Sequence, residues 1–110
     1  MIEVECHISI KKDGTCFLGP VKTKLLYEIM QSGSLSGAAK KMGISYQYAW
    51  KMIDEMNRVA PEPLVIKQRG GVHGGGAEIS SYGEKILQEY RMIKVQIKRV
   101  VDQINVEINL

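Results

Sequence analysis

The 110-residue sequence has few of the residues from which disulfide frameworks, catalytic sites and membrane spans are built. It contains two cysteines, Cys6 and Cys16, and two histidines, His7 and His73. Two cysteines without a second pair fit neither a disulfide framework nor a repeated C-x-x-C motif. No apolar run approaches the roughly 20 residues of a membrane-spanning helix, and the N-terminus lacks the basic and apolar blocks of a secretion signal. These absences predict a soluble, cytoplasmic protein.

The same scarcity argues against catalysis. The sequence contains no G-x-S-x-G, and the adjacent Cys6 and His7 would point to opposite faces of a strand. Glu3 and Glu5 share one strand face, but a solvated outer face accounts for them. The glycine-rich stretch "RGGVHGGGA" is followed by no Lys-Ser/Thr pair and lies in no predicted parallel sheet, so it does not fit a nucleotide-binding loop. We therefore predict that the protein is not an enzyme and uses no cofactor and no metal.

What the sequence does have is an ordinary globular composition and a local excess of positive charge. Its hydrophobic share of 45% and charged share of 25% are typical of one folded domain. The formal net charge is +3, and residues 40 to 73 hold six lysines and arginines against three acidic residues. The excess therefore lies in the middle of the chain, where a local basic surface favours a polyanionic partner.

The N-terminal segment predicts a β-hairpin. Apolar and polar residues alternate from Ile2 to Ile10, which is the period-two pattern of a strand covered on one face. Asp13-Gly14 is a strong signal for a two-residue hairpin turn, and the stretch from Thr15 to Leu18 predicts the returning strand.

A helix is predicted next, over residues 20 to 32. Pro20 suits the first helical position, where its missing N–H costs no hydrogen bond, and Gly33 marks the end. Residues expected on the buried side of this helix are Val21, Leu25, Leu26 and Ile29.

The following segment predicts two helices joined by a tight turn. Ser34 or Ser36 can cap a short helix that ends before Gly43, and Gly43 provides a left-handed turn residue. Ser45 can then cap a longer helix that runs towards Ala60. Together they form a helix-turn-helix. In the longer helix we expect Ala49, Ile53, Met56 and Ala60 to face inward and Gln47, Lys51, Asp54 and Arg58 to face outward.

A second hairpin and a long helix are predicted for the rest of the chain. "LVIKQ" at 64 to 68 and "AEIS" at 77 to 80 are short strands, and the glycine stretch between them makes this hairpin a wing. Ser81 to Glu84 predicts a capping box at the start of the last helix. The fold class is thus α+β and mainly helical: a winged helix-turn-helix over residues 1 to 80, including the N-terminal hairpin, followed by a helix over 81 to 110.

The last helix carries apolar residues at alternating steps of four and three, the spacing of a coiled-coil seam. A small domain has little core with which to cover such a stripe. The pattern therefore favours helix pairing between two chains, and folding back onto the chain's own domain is the alternative. The predicted dimer contacts are Ile86, Tyr90, Ile93, Ile97, Val100 and Ile104.

Several motifs resemble a known family. They are "GSLSGAAKKMGISY", Ala49-Trp50 followed by "DEMN", the wing "GGVHGGGA", and S-x-Y-G before the last helix. Over about residues 15 to 95 the sequence resembles the N-terminal winged-helix domain of ModE-type molybdate-responsive transcription regulators, and more distantly the LysR-type helix-turn-helix. Full-length members continue into molybdate-binding modules. This chain ends at Leu110, so it resembles the stand-alone winged-helix members, and no small-molecule effector is evident in it.

The resemblance implies a dimer on duplex DNA, with the second helix of the motif in the major groove and the wing beside it. Gln47 can then pair bidentately with adenine, Lys51 can donate to guanine, and Ser45 suits a phosphate. Glycines let the wing approach the sugar-phosphate backbone without side-chain bulk. The predicted DNA contacts are Ser34, Ser45, Tyr46, Gln47, Tyr48, Lys51, Lys67, Arg69, His73, Gly74 and Gly75.

The sequence therefore predicts a homodimeric, sequence-specific DNA-binding transcriptional regulator that acts on an inverted-repeat operator. One alternative is a winged-helix adaptor that binds a protein partner without reading DNA sequence. Another is a metal- or redox-responsive regulator that uses Cys6 and Cys16. The hairpin register argues against this metal- or redox-responsive regulator, because a turn at Asp13-Gly14 places Cys16 opposite Lys11 and not opposite Cys6. We expect both cysteines to be buried. Trp50 is expected at the boundary of the core.

Overall fold

The computed structural model of the protein describes residues 2–67 and 76–110. Two antiparallel hairpins flank a group of helices, and the long helix α4 follows the second hairpin. This arrangement confirms the predicted α+β, mainly helical, winged-helix class. The elements are β1 (Ile10–Lys12), β2 (Thr15–Leu18), α1 (Pro20–Ser32), α2 (Leu35–Met42), α3 (Tyr46–Val59), β3 (Val65–Lys67), β4 (Ala77–Ile79) and α4 (Ser81–Glu107).

The first hairpin turns where the sequence predicts. Asp13 and Gly14 have φ values of 51° and 81°, the two left-handed residues that a tight hairpin of this kind requires. Lys11 pairs with Cys16, which confirms the predicted register. The register shifts between Ile10 and Lys11, so that Ile10 lies opposite Leu18.

The prediction of a strand beginning at Ile2 was wrong, since β1 includes only Ile10–Lys12. Residues 2–9 run along α4 instead of pairing with a strand. The Asn105 side chain binds both backbone groups of Val4, at 2.6 Å and 3.0 Å, and the Tyr90 hydroxyl donates to the Ile8 carbonyl at 2.8 Å. Val4 and Ile8 are half-buried while Glu3 is exposed. The alternation therefore reflects an extended segment with one face against a helix.

Local capping signals place the three central helices. Gly33 and Gly43 end α1 and α2 with φ values of 72° and 68°. The Ser34 hydroxyl oxygen accepts from the Gly37 N–H at 3.0 Å, and that of Ser45 accepts from the Tyr48 N–H at 3.0 Å. Each such cap contributes about 1 kcal/mol to the helix that it begins. The boundaries of α1 to α3 thus follow from residues that are adjacent in the sequence.

The core lies between α1, α2, α3 and the second hairpin. The prediction for Val21 was wrong: it is 51% exposed, because α1 meets the core only from Thr23 onward. Ala60, expected inward, is half-buried. Among the described residues, the fully enclosed side chains are Leu18 of β2, Leu25, Leu26 and Ile29 of α1, Leu35 and Ala38 of α2, Ala49, Ile53 and Met56 of α3, Leu64 before β3, and Val65 of β3.

The start of α4 is fixed to the second hairpin by Ser80, not by the predicted capping box from Ser81. The Ser80 hydroxyl oxygen accepts from the Gly83 N–H at 2.9 Å, and the same hydroxyl donates to the Pro63 carbonyl at 2.6 Å. Gly83 is buried against this contact. A Cβ atom on Gly83 would lie 2.9 Å from Ile79 Cγ2 and closer still to the Leu64 carbonyl oxygen. Only glycine at this position therefore allows α4 to approach Leu64 and Ile79 this closely.

Beyond its first three turns, α4 leaves the helical core. Leu87 and Tyr90 are buried, and the N-terminal segment 2–9 lies along the following turns. With 27 residues, the helix is about 40 Å long at 1.5 Å per residue. None of the helices within residues 2–67 and 76–110 is both long and apolar enough to cross a membrane.

We expect Gly83→Ala to lower the free energy of unfolding by about 1–3 kcal/mol, because the added methyl group overpacks a closed backbone contact. The better helix propensity of alanine offsets at most about 1 kcal/mol of this. Urea unfolding followed by circular dichroism measures the change. Gln88→Ala on the exposed side of the same helix is the control and should change stability by less than about 0.5 kcal/mol. Equal stability of the two variants would contradict the packing argument.

Candidate nucleic-acid interface

The exposed face of α3 is the first part of the candidate site. Ala49, Met52, Ile53 and Met56 are buried and hold one side of the helix against the core. The opposite side projects into solvent, and the predicted outward residues Gln47, Lys51, Asp54 and Arg58 are all exposed on it. The helix is thus anchored on one face and presents donors, acceptors and cations to solvent on the other.

The N-terminal end of α3 forms the tip of this surface. Its first N–H groups have no partner within the helix, and the aligned peptide dipoles give this end partial positive charge. Ser45 is exposed, and its oxygen accepts from Tyr48 N–H, so its own hydroxyl proton is free to be donated. Tyr46 and Tyr48 flank the tip and are 42% and 48% exposed. The tip can bind an anion and present hydroxyl groups beside it.

A second row of side chains joins α3 to the wing. Tyr46, Trp50 and Asp54 follow one another at steps of four along the helix, and the rings of Tyr46 and Trp50 meet edge to face with centroids 6.1 Å apart. Lys67, the last residue of β3, places its Nζ 4.2 Å from the Trp50 ring centroid and 3.8 Å from Asp54 Oδ1. Trp50 itself is half-buried and packs against the core, as expected.

Asn57 fixes the path of the chain from α3 into the wing. Its Oδ1 accepts from the Leu64 N–H at 2.9 Å and from the Val65 N–H at 3.4 Å. Its Nδ2 donates to the Val65 carbonyl at 3.0 Å. One side chain of α3 therefore satisfies the backbone at the start of β3. Sequence reasoning noted Asn57 only within the motif "DEMN", and its role depends on a fold that the motif does not reveal.

Two further contacts hold the first hairpin against the same helix. Lys22 Nζ donates to the Cys16 carbonyl at 2.8 Å and lies 3.3 Å from Glu55 Oε2. Lys12 Nζ donates to the Val59 carbonyl at 3.0 Å, at the C-terminal end of α3. The hairpin therefore supports the back and the end of α3 and leaves its tip free.

The structure brings together only part of the predicted set of DNA contacts. Ser45, Tyr46, Gln47, Tyr48 and Lys51 share the exposed tip of α3, and Lys67 lies beside it. Ser34 is half-buried and caps α2. The predicted wing residues Arg69, His73, Gly74 and Gly75 lie outside the described residues.

The cysteines and the predicted seam also have definite environments. Cys6 is exposed and Cys16 half-buried, so the expectation that both are buried was wrong: Cys6 lies on a segment with only one face against α4. No three His, Cys, Asp or Glu side chains within residues 2–67 and 76–110 are placed to hold a metal ion. In the seam, Tyr90 is 4% exposed, Val100 is 60% and Ile104 is 40% exposed, and Ile86, Ile93 and Ile97 are half-buried.

A helix-turn-helix whose second helix projects from the core, next to a β-hairpin wing, defines a winged helix-turn-helix protein. Residues 22–83 match the family described as bacterial regulatory helix-turn-helix proteins of the lysR family. The chain belongs to that family. The match runs from α1 through the first turn of α4 and therefore includes the whole candidate interface.

The chain is also similar to molybdenum-related proteins, as the resemblance of its motifs indicates. It is 36% identical over 103 residues to the molybdenum transport protein ModE of Azotobacter vinelandii, covering 94% of this chain and 38% of that protein. It is 38% identical over 92 residues to the DNA-binding transcriptional dual regulator ModE of Escherichia coli K12, with 84% and 35% covered. The molybdenum-pterin-binding protein MopB of Rhodobacter capsulatus is 33% identical over 93 residues, with 84% and 34% covered. The chain thus spans less than two-fifths of these relatives.

We expect Asn57→Ala to lower the free energy of unfolding by about 1–3 kcal/mol, because it leaves backbone groups at the start of β3 without partners. Chemical unfolding measures this loss. Arg58→Ala, one residue further on, removes an exposed side chain and should change stability by less than about 0.5 kcal/mol. If Asn57→Ala proved as stable as Arg58→Ala, water would satisfy these groups equally well and Asn57 would not anchor the wing.

Proposed function

We propose that the chain binds duplex DNA sequence-specifically, as a homodimer, and regulates transcription. The observation that carries this proposal is the exposed face of α3: an anchored helix with a free N-terminal tip that presents Gln47 and Lys51 together. The major groove admits a helix of this kind, and its base edges offer a distinct pattern of donors and acceptors for each base pair. The family and the named DNA-binding relative support the proposal.

Each group at the tip has a chemical role in the proposed complex. The Gln47 amide can donate to and accept from one adenine edge, and the Lys51 ammonium donates to the acceptors of guanine. Ser45 and the free N–H groups of the first turn bind a phosphate and set the register of the helix on the duplex. On the sequence alone, Arg69 and His73 are assigned to the phosphates beside the wing.

We expect Gln47→Ala to relax base preference at one position of each half-site and to leave the rest of the preferred sequence unchanged, because a bidentate contact discriminates by about 1–3 kcal/mol. The measurement is selection of bound duplexes from a fragmented genomic library at moderate salt, followed by sequencing. For the wild-type protein we expect one enriched inverted repeat.

The matched control for this experiment is Arg69→Ala, which should weaken binding to all duplexes alike and reduce the dependence of affinity on salt. If Gln47→Ala also lost affinity uniformly, Gln47 would not read a base. If the folded wild-type protein enriched no sequence and copurified with a protein partner, the adaptor function would be favoured over DNA reading.

The exposed part of α4 supports the dimer. Val100 and Ile104 continue the apolar seam and lie in solvent in the single chain, while Ile93 and Ile97 beside them are only half covered. Apolar residues with this spacing pair two helices in a coiled coil, where each apolar side chain packs into a gap between residues of the facing helix. Two chains related by a two-fold axis would place two α3 helices on half-sites one helical turn, or a multiple of it, apart.

We expect Val100→Asp to produce monomers in sedimentation and to keep the circular dichroism spectrum of the wild type, because a carboxylate in a paired seam is desolvated without a partner. Val106→Asp is the control: Val106 is 81% exposed and falls outside the seam pattern, so this variant should remain dimeric. A Val100→Asp protein that stayed dimeric would place the interface elsewhere.

A further inference from the structure

One carboxylate lies on the surface that we propose faces DNA. Asp54 lies three residues after Lys51, slightly less than one helical turn, on the exposed side of α3, and 60% of its side chain is exposed. The neighbouring Glu55 is already paired with Lys22 at 3.3 Å. A carboxylate that approaches phosphates is repelled by them, so its presence on this face requires an explanation.

Lys67 meets this carboxylate and an aromatic ring at the same time. Its Nζ lies over the Trp50 ring at 4.2 Å from the centroid and 3.8 Å from Asp54 Oδ1. A tryptophan face attracts an ammonium group through the ring quadrupole. The ring itself is held in place, because Trp50 packs against the core and meets the edge of Tyr46. Lys67 would otherwise be a flexible cation, and 59% of its side chain is exposed.

The two partners of Lys67 differ in what happens when a phosphate arrives. The ring of Trp50 is neutral and can keep its contact while the ammonium group binds an anion on its outer side. The Asp54 carboxylate competes for the same ammonium group as the phosphate does. The separation of 3.8 Å between Nζ and Oδ1 is long for a charge-assisted hydrogen bond, so the carboxylate is the partner that is more readily exchanged.

We propose that Trp50 and Asp54 are positioning residues for Lys67. The Trp50 ring holds the Lys67 ammonium group at the junction of α3 and the wing. The Asp54 carboxylate pairs with this ammonium group until a DNA phosphate replaces the carboxylate. Lys67 is then a phosphate contact prepared in the free protein. Asp54 lowers affinity for every duplex by the same factor, so that stable binding requires the base contacts at the tip of α3. This inference rests on the proposed DNA-binding function.

The contact between the Lys67 ammonium group and the Trp50 ring is tested first without DNA, by nuclear magnetic resonance of the full chain. Trp50 is the only tryptophan in the sequence, so ring-current shifts of the Lys67 side chain can be assigned to it. We expect the Lys67 methylene protons next to Nζ to be shifted upfield in the wild-type protein and in Asp54→Asn. The shift should shrink in Trp50→Phe and vanish in Trp50→Leu. Unshifted Lys67 methylene protons in the wild-type protein would show that Lys67 does not lie over the Trp50 ring, which would contradict the proposal.

The exchange is tested by titrating the selected duplex and a scrambled one at several salt concentrations. Asp54→Asn should bind both duplexes up to about 5-fold more tightly, the range that an exposed ion pair spans. Lys67→Met should bind both roughly 3- to 10-fold more weakly and reduce the slope of log affinity against log salt by about 0.9, as expected for one lost phosphate contact. In the Lys67→Met background, Trp50→Leu should have no further effect on the slope.

The outcomes separate this inference from the proposed function. If wild-type protein ranks sequences as expected but Asp54→Asn binds no more tightly, or Lys67→Met leaves the salt slope unchanged, the exchange is wrong and DNA reading stands. If Asp54→Asn changes the preference at a single base pair, Asp54 reads a base, for example as an acceptor for cytosine, and the exchange is again wrong. A wild-type protein that binds no duplex would overturn both.

Discussion

The contact between the Asn57 amide and the backbone at Leu64 and Val65 is the constraint on which the geometry of the interface depends. It joins a helix whose buried face is fixed in the core to a strand that leads into the wing. A wing attached only through the loop after α3 would have many orientations. With two backbone donors and one acceptor bound to a single side chain, β3 has one path, and Lys67 at its end is brought to Trp50 and Asp54.

Most of the fold could be predicted because its boundaries are set by local chemistry. Asp13-Gly14, Gly33, Gly43 and Ser45 each act on residues within one turn, so the sequence is sufficient to identify them. The errors arose where a distant element decided the outcome. Ser80 caps α4 in place of Ser81 because its hydroxyl is also held by the Pro63 carbonyl. The alternation of apolar and polar residues near the N-terminus indicates only that one face of the segment is covered. A helix can cover that face as well as a strand can, so the pattern does not distinguish the two.

The candidate site was predictable to the level of the helix face but not to the level of its contacts. Helical periodicity places Gln47 and Lys51 on the exposed side of α3, because the opposite side must face the core. The contact of Lys67 with Trp50 and Asp54 depends on where β3 passes α3. That path is set by Asn57, whose partners are backbone atoms without a sequence signature. Side-chain identity predicts which groups face solvent, whereas the pairing among them follows from the tertiary path.

The long helix α4 links the candidate interface to the proposed dimer contact through direct contacts within the chain. Ser80, Gly83 and Tyr90 fix its first turns to the second hairpin and to the N-terminal segment. Since Tyr90 is used inside the chain, the part of the seam open to a partner lies further along, at Val100 and Ile104. In the proposed dimer, no flexible linker separates that contact from α3. The spacing between the two reading helices would therefore be a property of the fold, and half-sites at other separations would be bound by one α3 at a time.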